Sequence, residues 1–280
     1  YREAGVNRLS IGVQSFDAAC LKALGRVHGP DEAMDAFRAA RRAGFSNINL
    51  DLMFGLPGQT EARASDDLKA ALDLGPEHLS YYQLTLEPNT AFRHSPPSLP
   101  HEDTIAAIQT AGQARLASAD LGQYEISAYA RPGNRCGHNL NYWEFGDYVG
   151  VGAGAHGKLT LGPGRVVRRW RQRDPARYLR NAGTEAALAG VSRQGDSDLA
   201  FEFALNALRL TEGFRLRRFE SCTGLPRTYL ATPLAKALSR GLLQREADWI
   251  RPTELGFRFL NDLLGLFLPD VTTPADTALE

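Results

Sequence analysis

Residues 47–60 read NINLDLMFGLPGQT, and this short stretch holds a strand, a turn and the first turn of a helix. INLDLMF over 48–54 has the composition of a strand. Gly55, Leu56, Pro57 and Gly58 close it with turn residues. Thr60 and Glu61 then open a helix predicted to run to Leu74 and to stop at Gly75.

Working outward, residues 6–15 (VNRLSIGVQS) alternate apolar and polar side chains as a strand does, and Asp17 can cap a short helix over 18–24. A second helix starts at Pro30, Asp31 and Glu32 and finishes at Arg38, Arg41 and Arg42 before Gly44, a charge order that suits the helix dipole at both ends. Residues 79–86 (LSYYQLTL) form a third strand. Strands alternating with helices imply parallel strands joined by right-handed crossovers. Gln14, Asp51 and Gln83 break the apolar pattern near the strands' C-terminal ends, the edge where barrels of parallel strands build their sites. A carboxylate and two amides there can hold ribose hydroxyls or an amino-acid head group, or can simply hydrogen-bond neighbouring loops. A closed eight-strand barrel needs more strands than these three. Tyr1 is not Met, and residues 1–5 read like the tail of a helix ended by Gly5, so earlier strands are expected upstream.

With 280 residues the chain can bury more than one core. Lys plus Arg and Asp plus Glu each total 32, a balance that points to neither nucleic acid nor a membrane surface. No apolar run approaches the roughly 18–20 residues of a membrane-spanning helix, and no secretory signal is visible. Cys20, Cys136 and Cys222 lie too far apart for a disulfide framework or a metal motif, which makes a reducing cytoplasm the default location.

Residues 90–100 read as a proline-rich loop, 101–121 as a helix and 124–130 (YEISAYA) as a strand. The chain then concentrates its unusual chemistry in 135–157, RCGHNLNYWEFGDYVGVGAGAHG. Gly152, Gly154 and Gly157 match the G-x-G-x-x-G spelling of a dinucleotide fingerprint, but that motif needs a helix directly after it. From Lys158 onward the chain reads as strand and turn, so the glycines are expected to let the backbone approach a ligand or a neighbouring strand. His138 stands beside Tyr142 and Trp143, where something flat or anionic can rest; the alternative is a hydrogen-bonded structural histidine.

Five arginines surround Trp170 in 165–173 (RVVRRWRQR), which reads first as a solvated basic strand, then as a contact for an anion, and last as a nucleic-acid grip. Residues 175–188 look helical and 190–197 look like a polar boundary. Helices are expected over 199–210 (capped by Asp196 or Ser197), from 214 to about 220 and over 230–240. Next come two strands of a wing at 242–244 and 248–251, and then a final amphipathic helix over 253–268 with Leu255, Phe259, Leu263 and Leu266 on its apolar side. That order is a winged-helix pattern. Its presumed recognition helix carries only Lys236 and Arg240, which favours docking over DNA reading. Residues 271–280 read as a disordered tail.

Segments 5–16 (GVNRLSIGVQSF), 24–28 (LGRVH), 47–60 and 78–90 (HLSYYQLTLEPNT) resemble, in this order, the oxygen-independent coproporphyrinogen III oxidase-like branch of the radical S-adenosylmethionine (SAM) proteins. Residues 124–158, with HNLNYW at 138–143, resemble the haem chaperones of that family, whose HNxxYW signature separates them from its oxidases. The resemblance covers nearly the whole chain. It implies an α/β fold: a partial radical SAM (β/α) barrel over 1–120, an α+β middle segment over 121–192, a winged-helix-like domain over 193–268 and a tail over 269–280.

The resemblance also implies roles. Gln14, Arg26 and Asp51 would contact SAM, Asp51 at the sugar; Arg26 has otherwise the bland reading of a surface cation after a helix. His138, Tyr142 and Trp143 would hold haem, with His138 as the iron ligand ahead of His156 and Cys136. The implied partners are haem-accepting apo-proteins such as respiratory enzymes, with a peripheral membrane encounter and no nucleic acid. One departure is large: the family's [4Fe-4S] cluster sits on three closely spaced cysteines, and this chain has no such triplet. The cluster is therefore expected only in a full-length protein of which this chain is a part. A second reading stays open, an oxygen-independent coproporphyrinogen III oxidase of porphyrin biosynthesis, in which SAM would supply the radical chemistry.

Overall fold

The structure is a computed structural model and describes residues 1–269; the expected tail at 271–280 lies outside the described residues. Two compact units, Tyr1–Arg135 and Cys136–Glu280, make up the chain.

The first unit opens with β1 (Leu9–Gln14), α1 (Ala18–Ala23), α2 (Pro30–Arg42), β2 (Ile48–Phe54), α3 (Glu61–Leu74) and β3 (His78–Gln83). Local chemistry explains the boundaries. Asp17 accepts hydrogen bonds from the Ala19 and Cys20 amides and so caps α1. Thr60 caps α3 by accepting from the Arg63 amide, and Gly75 ends that helix in the left-handed region at φ 70°. β1 runs parallel to β2 and β2 parallel to β3, as the alternation of strands and helices requires. A single turn, α4 (Ala91–His94), interrupts the proline-rich loop, and α5 (Glu102–Ser118), β4 (Gly122–Glu125) and β5 (Ala128–Ala130) complete the unit. The sheet order is β1-β2-β3-β5-β4, with β5 antiparallel to β3 and β4 antiparallel to β5. The single strand expected over 124–130 is thus a hairpin. Glu125 Oε1 accepts from both the amide and the hydroxyl of Ser127 and holds the chain in the turn between its two arms.

The two faces of this sheet differ in kind. Val13, Ile48, Leu50, Leu52, Phe54, Leu79 and Tyr81 are buried on one face, with Phe37 of α2, Leu68 of α3 and Ile108 of α5 in the same core. In register on the other face lie Ser10 opposite Asn49, Gly12 opposite Asp51, Asp51 opposite Ser80 and Met53 opposite Tyr82. Apolar burial against helices fixes the register, because a slip of one residue would turn the polar set into the core.

The second unit begins with α6 (Gly137–Trp143) and an antiparallel sheet of β6 (His156–Thr160), β7 (Val166–Arg171) and β8 (Leu188–Arg193), with α7 (Pro175–Asn181) between the last two. The helix expected over 175–188 therefore stops early. Gly183 turns the chain at φ 84°, and part of the expected polar boundary alternates half-buried and exposed residues as strand β8. The basic run forms β7, the middle strand, whose Arg168 is ion-paired with Glu202.

The rest of the unit is α8 (Asp196–Ala207), β9 (Phe214–Arg215), α9 (Leu216–Thr223), α10 (Ala231–Ser239), β10 (Leu243–Glu246), β11 (Trp249–Pro252), α11 (Glu254–Arg258) and α12 (Leu260–Gly265), with β10, β11 and β9 forming a small antiparallel sheet. Gly195, without a side-chain bond, caps α8, and Asp196 and Asp198 sit inside its first turn, where the helix dipole favours acids. Phe203 is fully buried against the rings of Phe145, Phe214 and Phe219 at 5.0–5.5 Å and centres this core. The final helix is broken in two, because Phe259 leaves the helical region at φ −107°, ψ 46°. The break exposes Leu255 and Phe259, while Leu263 is buried as expected, together with Leu260, Leu264 and Phe267.

Candidate functional site

In the first unit the polar face of the sheet carries the candidate site. The ladder between β1 and β2 shifts between Gly12 and Gln14, and Gln14 has a positive φ of 70°. Such a bulge re-aims a side chain. Here it carries the Gln14 amide over Gly12, whose Cβ, if present, would lie 2.8 Å from Gln14 Nε2. Gln14 Oε1 accepts a hydrogen bond of 2.9 Å from the Tyr82 hydroxyl at the end of β3. The loop that holds Gln14 is braced by Asp67 of α3, which accepts from Ser15 Oγ at 2.7 Å, the Phe16 amide at 2.6 Å and Gln59 Nε2 at 3.3 Å. Burial raises the Asp67 pKa even though these bonds favour its charge.

Asp51 is half-buried, and each of its carboxylate oxygens takes one bond from the protein, from Ser10 Oγ at 3.0 Å and from Asn49 Nδ2 at 2.8 Å. An ionised carboxylate has about four acceptor positions, so it retains capacity for further donors. Arg26 is exposed in the turn after α1, its backbone amide bonded to Leu21 O. Burial pushes the Tyr82 phenol up, the Asp51 charge pushes it further, and the Arg26 guanidinium and the bond to Gln14 work the other way. Gln14, Arg26 and Asp51 thus all act on one phenol. Tyr82, Ser10 and Asn49 are the residues that sequence reasoning missed. Part of their signal was present in the alternation, with Asn49 and Asp51 on β2 and His78, Ser80 and Tyr82 on β3 at every second position. Gln83 lies on the opposite face from Tyr82 by strand alternation.

In the second unit the HNLNYW run forms α6. His138 and Tyr142, four residues apart, share one helix face. Their rings meet edge to face at 4.9 Å, and the Tyr142 hydroxyl lies 3.4 Å from His138 Nε2. The other ring nitrogen, Nδ1, is 3.5 Å from Asn139 Oδ1. Both bonds are at the long limit, and the imidazole is exposed. Tyr142 continues to Tyr148 at 4.7 Å, and the following loop exposes Val149 and Val151. Trp143 points elsewhere: its ring lies under the Arg209 guanidinium at 4.2 Å, and its indole nitrogen is buried. His156 stands on β6, ring-stacked with Trp170 at 6.3 Å, and the buried Cys136 is the residue before α6.

The glycine run approaches a neighbouring strand. A Cβ on Gly150 would sit 2.4 Å from His156 O, and one on Gly157 would sit 3.0 Å from Gly150 N. Strand β6 comes next, with no helix for a pyrophosphate. Beneath the run lies Lys158, 2% exposed, whose ammonium donates to Phe145 O, Gly146 O and Asp147 Oδ1 at 3.0–3.3 Å. Burial lowers the Lys158 pKa. Burial also acts against the Asp147 carboxylate, but bonds from Thr160 and Lys158 outweigh it and hold that pKa below the ordinary value.

The donor set fits SAM and haem and does not fit an iron–sulfur cluster. A carboxylate, an amide and a guanidinium suit a nucleoside with an amino-acid tail, and an exposed imidazole beside a tyrosine suits a haem iron. Among the described residues no group of three His, Cys, Asp or Glu side chains is placed to hold a metal ion. Cys20 is buried and its thiol pKa is pushed up to about 11, which makes it a packing residue. Among the described residues no helix is long and apolar enough to cross a membrane.

Comparison with known proteins identifies the fold and the family. Residues 1–71 match the radical SAM superfamily model, and residues 196–259 match the HemN C-terminal domain model. The chain superposes on the structure of coproporphyrinogen III oxidase (HemN) from Escherichia coli with a TM-score of 0.75 at 22% identity, over 95% of this chain and 65% of that one, which shows a shared fold. Proteins named heme chaperone HemW are similar in sequence: 46% identical over 270 residues in Escherichia coli, 43% over 270 in Haemophilus influenzae and 34% over 280 in Bacillus subtilis. Each match covers 96% of this chain and 70–72% of the relative. On this identity and coverage, the chain belongs to the HemW family, built on the radical SAM fold.

Proposed function

We propose that this chain is a haem chaperone: it takes up haem at α6, with His138 as iron ligand and Tyr142 beside it, and passes it to apo-haemoproteins such as respiratory enzymes. The observation that carries this reading is the exposed His138 imidazole, whose nitrogens have only long bonds, at 3.4 and 3.5 Å, next to a tyrosine pair. A ligand held that loosely can exchange its hydrogen bond for iron without leaving a buried polar group unpaired. Trp143, under Arg209, serves the site by fixing the helix that presents His138. Haem transfer needs a cargo that can leave, and an exposed single-histidine seat supports that better than an enclosed one.

In the same reading Gln14, Arg26 and Asp51 hold SAM on the polar face of the first unit's sheet, with Asp51 on the ribose. SAM would supply radical chemistry only together with a reduced cluster, and none of the residues described is assigned to one. The protein works in the cytoplasm, meeting membranes peripherally. The names of the relatives and the HNLNYW run favour the chaperone over a coproporphyrinogen oxidase. Titration of the purified chain with haemin, and separately with SAM, tests the proposal. One equivalent of each is expected to bind. A chain that binds neither, or that decarboxylates coproporphyrinogen III, contradicts it.

A further inference from the structure

We infer that His78, acting through Asn49, is a positioning residue that sets the orientation of the Asp51 carboxylate. This rests on the proposal that Asp51 receives the sugar of SAM.

The polar face of the first unit carries a hydrogen-bond chain with a single direction. Tyr124 OH lies 2.8 Å from His78 Nε2, His78 Nδ1 lies 2.6 Å from Asn49 Oδ1, and Asn49 Nδ2 donates to Asp51 Oδ1 at 2.8 Å and to Ser10 Oγ at 2.6 Å. Ser10 in turn donates to Asp51 Oδ2, and Ser80 Oγ donates to Asn49 Oδ1 at 3.2 Å. His78 is fully buried, and burial followed by the charge of Arg8 brings its pKa down to about 3. The ring is therefore neutral, with one N–H to place. Tyr124 can donate to Nε2, which leaves the proton on Nδ1, aimed at the Asn49 carbonyl oxygen. That choice fixes the Asn49 amide, since its carbonyl faces the two donors His78 and Ser80 and its NH2 faces Asp51.

The alternative amide orientation would set an oxygen against the Asp51 carboxylate and an NH2 against the His78 N–H. Each wrong pairing leaves buried groups unsatisfied, which disfavours the flipped amide. Asn49 is itself 2% exposed, so no solvent is at hand to repair the error. The network thus transmits a single tautomer on β3 into a single carboxylate orientation on β2. Gly12, opposite Asp51 in the ladder, carries no side chain there, and the Gln14 amide lies over it.

The test measures SAM affinity by calorimetry on the purified chain, with haemin affinity in the second unit as a check on folding. Asp51→Asn is expected to weaken SAM binding. If it binds like the wild type, the SAM assignment fails and this inference fails with it. His78→Phe removes the donor to Asn49 and is expected to weaken SAM by about tenfold, while His78→Asn, which can place an N–H where Nδ1 stood, is expected to recover most of the loss. Haemin affinity stays unchanged in both. Should His78→Phe not fold, Asn49→Ser, which deletes the amide at smaller volume, replaces it with the same expected loss. Full SAM affinity in His78→Phe or Asn49→Ser, alongside a loss in Asp51→Asn, overturns the inference while leaving the SAM site standing. Equal losses in His78→Phe and His78→Asn overturn it too, because they report packing instead of a directed bond.

Discussion

The Tyr142 hydroxyl oxygen lies 3.4 Å from His138 Nε2, one helical turn away, and the two rings meet edge to face at 4.9 Å. The helix itself imposes this pairing, since positions four apart share a face. The phenol can steady the imidazole without holding it. Tyr142→Phe keeps the ring and loses one long bond, so haemin affinity is expected within about threefold of the wild type. Tyr142→Ala removes the flat neighbour and is expected to cost about tenfold. Absorbance titration distinguishes the two; an unaltered affinity in Tyr142→Ala would remove this ring from the site.

Trp143 has a structural part. Its ring is half-buried under Arg209, so Trp143→Ala is expected to lower stability by about 2 kcal/mol, less than the roughly 3–5 of a fully buried aromatic. Urea denaturation followed by circular dichroism measures this. The haemin affinity of the fraction that stays folded is expected to fall less than in Tyr142→Ala.

Lys158 and Asp147 tie the loop after α6 to β6, and their pH dependence has a defined sign. The folded Asp147 pKa is depressed, so its contribution is complete above the unfolded value of about 3.9 and is lost as pH falls through the folded one. Thermal melts between pH 3 and 7 are expected to show a steeper acid limb for the wild type than for Asp147→Asn. Lys158→Met deletes a buried cation and leaves the Phe145 and Gly146 carbonyls without that donor, while Asp147 keeps its bonds from Thr160, at an expected cost of about 3 kcal/mol at neutral pH.

Asp67 braces the loop that carries Gln14. Asp67→Ala strands the Ser15 hydroxyl and the Phe16 amide and is expected to cost about 3 kcal/mol. Asp67→Asn keeps an acceptor and removes a charge that burial opposes, so it is expected to cost much less. Equal losses in the two variants would show that the bonds to the loop carry little of the effect.

Much of this was legible in the residues, and the misses have physical causes. The strand at Ile48–Phe54 and the helix at Glu61–Leu74 are read correctly because their signals are local: a turn at Gly55–Gly58, a Thr60 cap and a left-handed Gly75. The hairpin at Gly122–Ala130 was invisible, since its turn depends on Glu125 bonding back to Ser127 and not on a Gly or Pro. The last helix was misread in part because Phe259 breaks out of helical geometry with no sequence mark, which exposes Leu255 and Phe259 while Leu263 stays buried as expected. At the sites, Gln14 and Asp51 stood out as polar interruptions. His78 and Asn49 escaped because the bonds that link them to each other, to Tyr124 and to Ser10 span 29 or more residues.

His138 is the proposed haem ligand. The most direct test of that role is a haemin titration of the wild type against His138→Ala and His156→Ala, read at the Soret band. A shifted band and tight one-to-one binding are expected in the wild type and in His156→Ala, with His138→Ala losing the shifted band and at least about tenfold in affinity. An unchanged spectrum and affinity in His138→Ala, with the loss appearing in His156→Ala, would contradict that role.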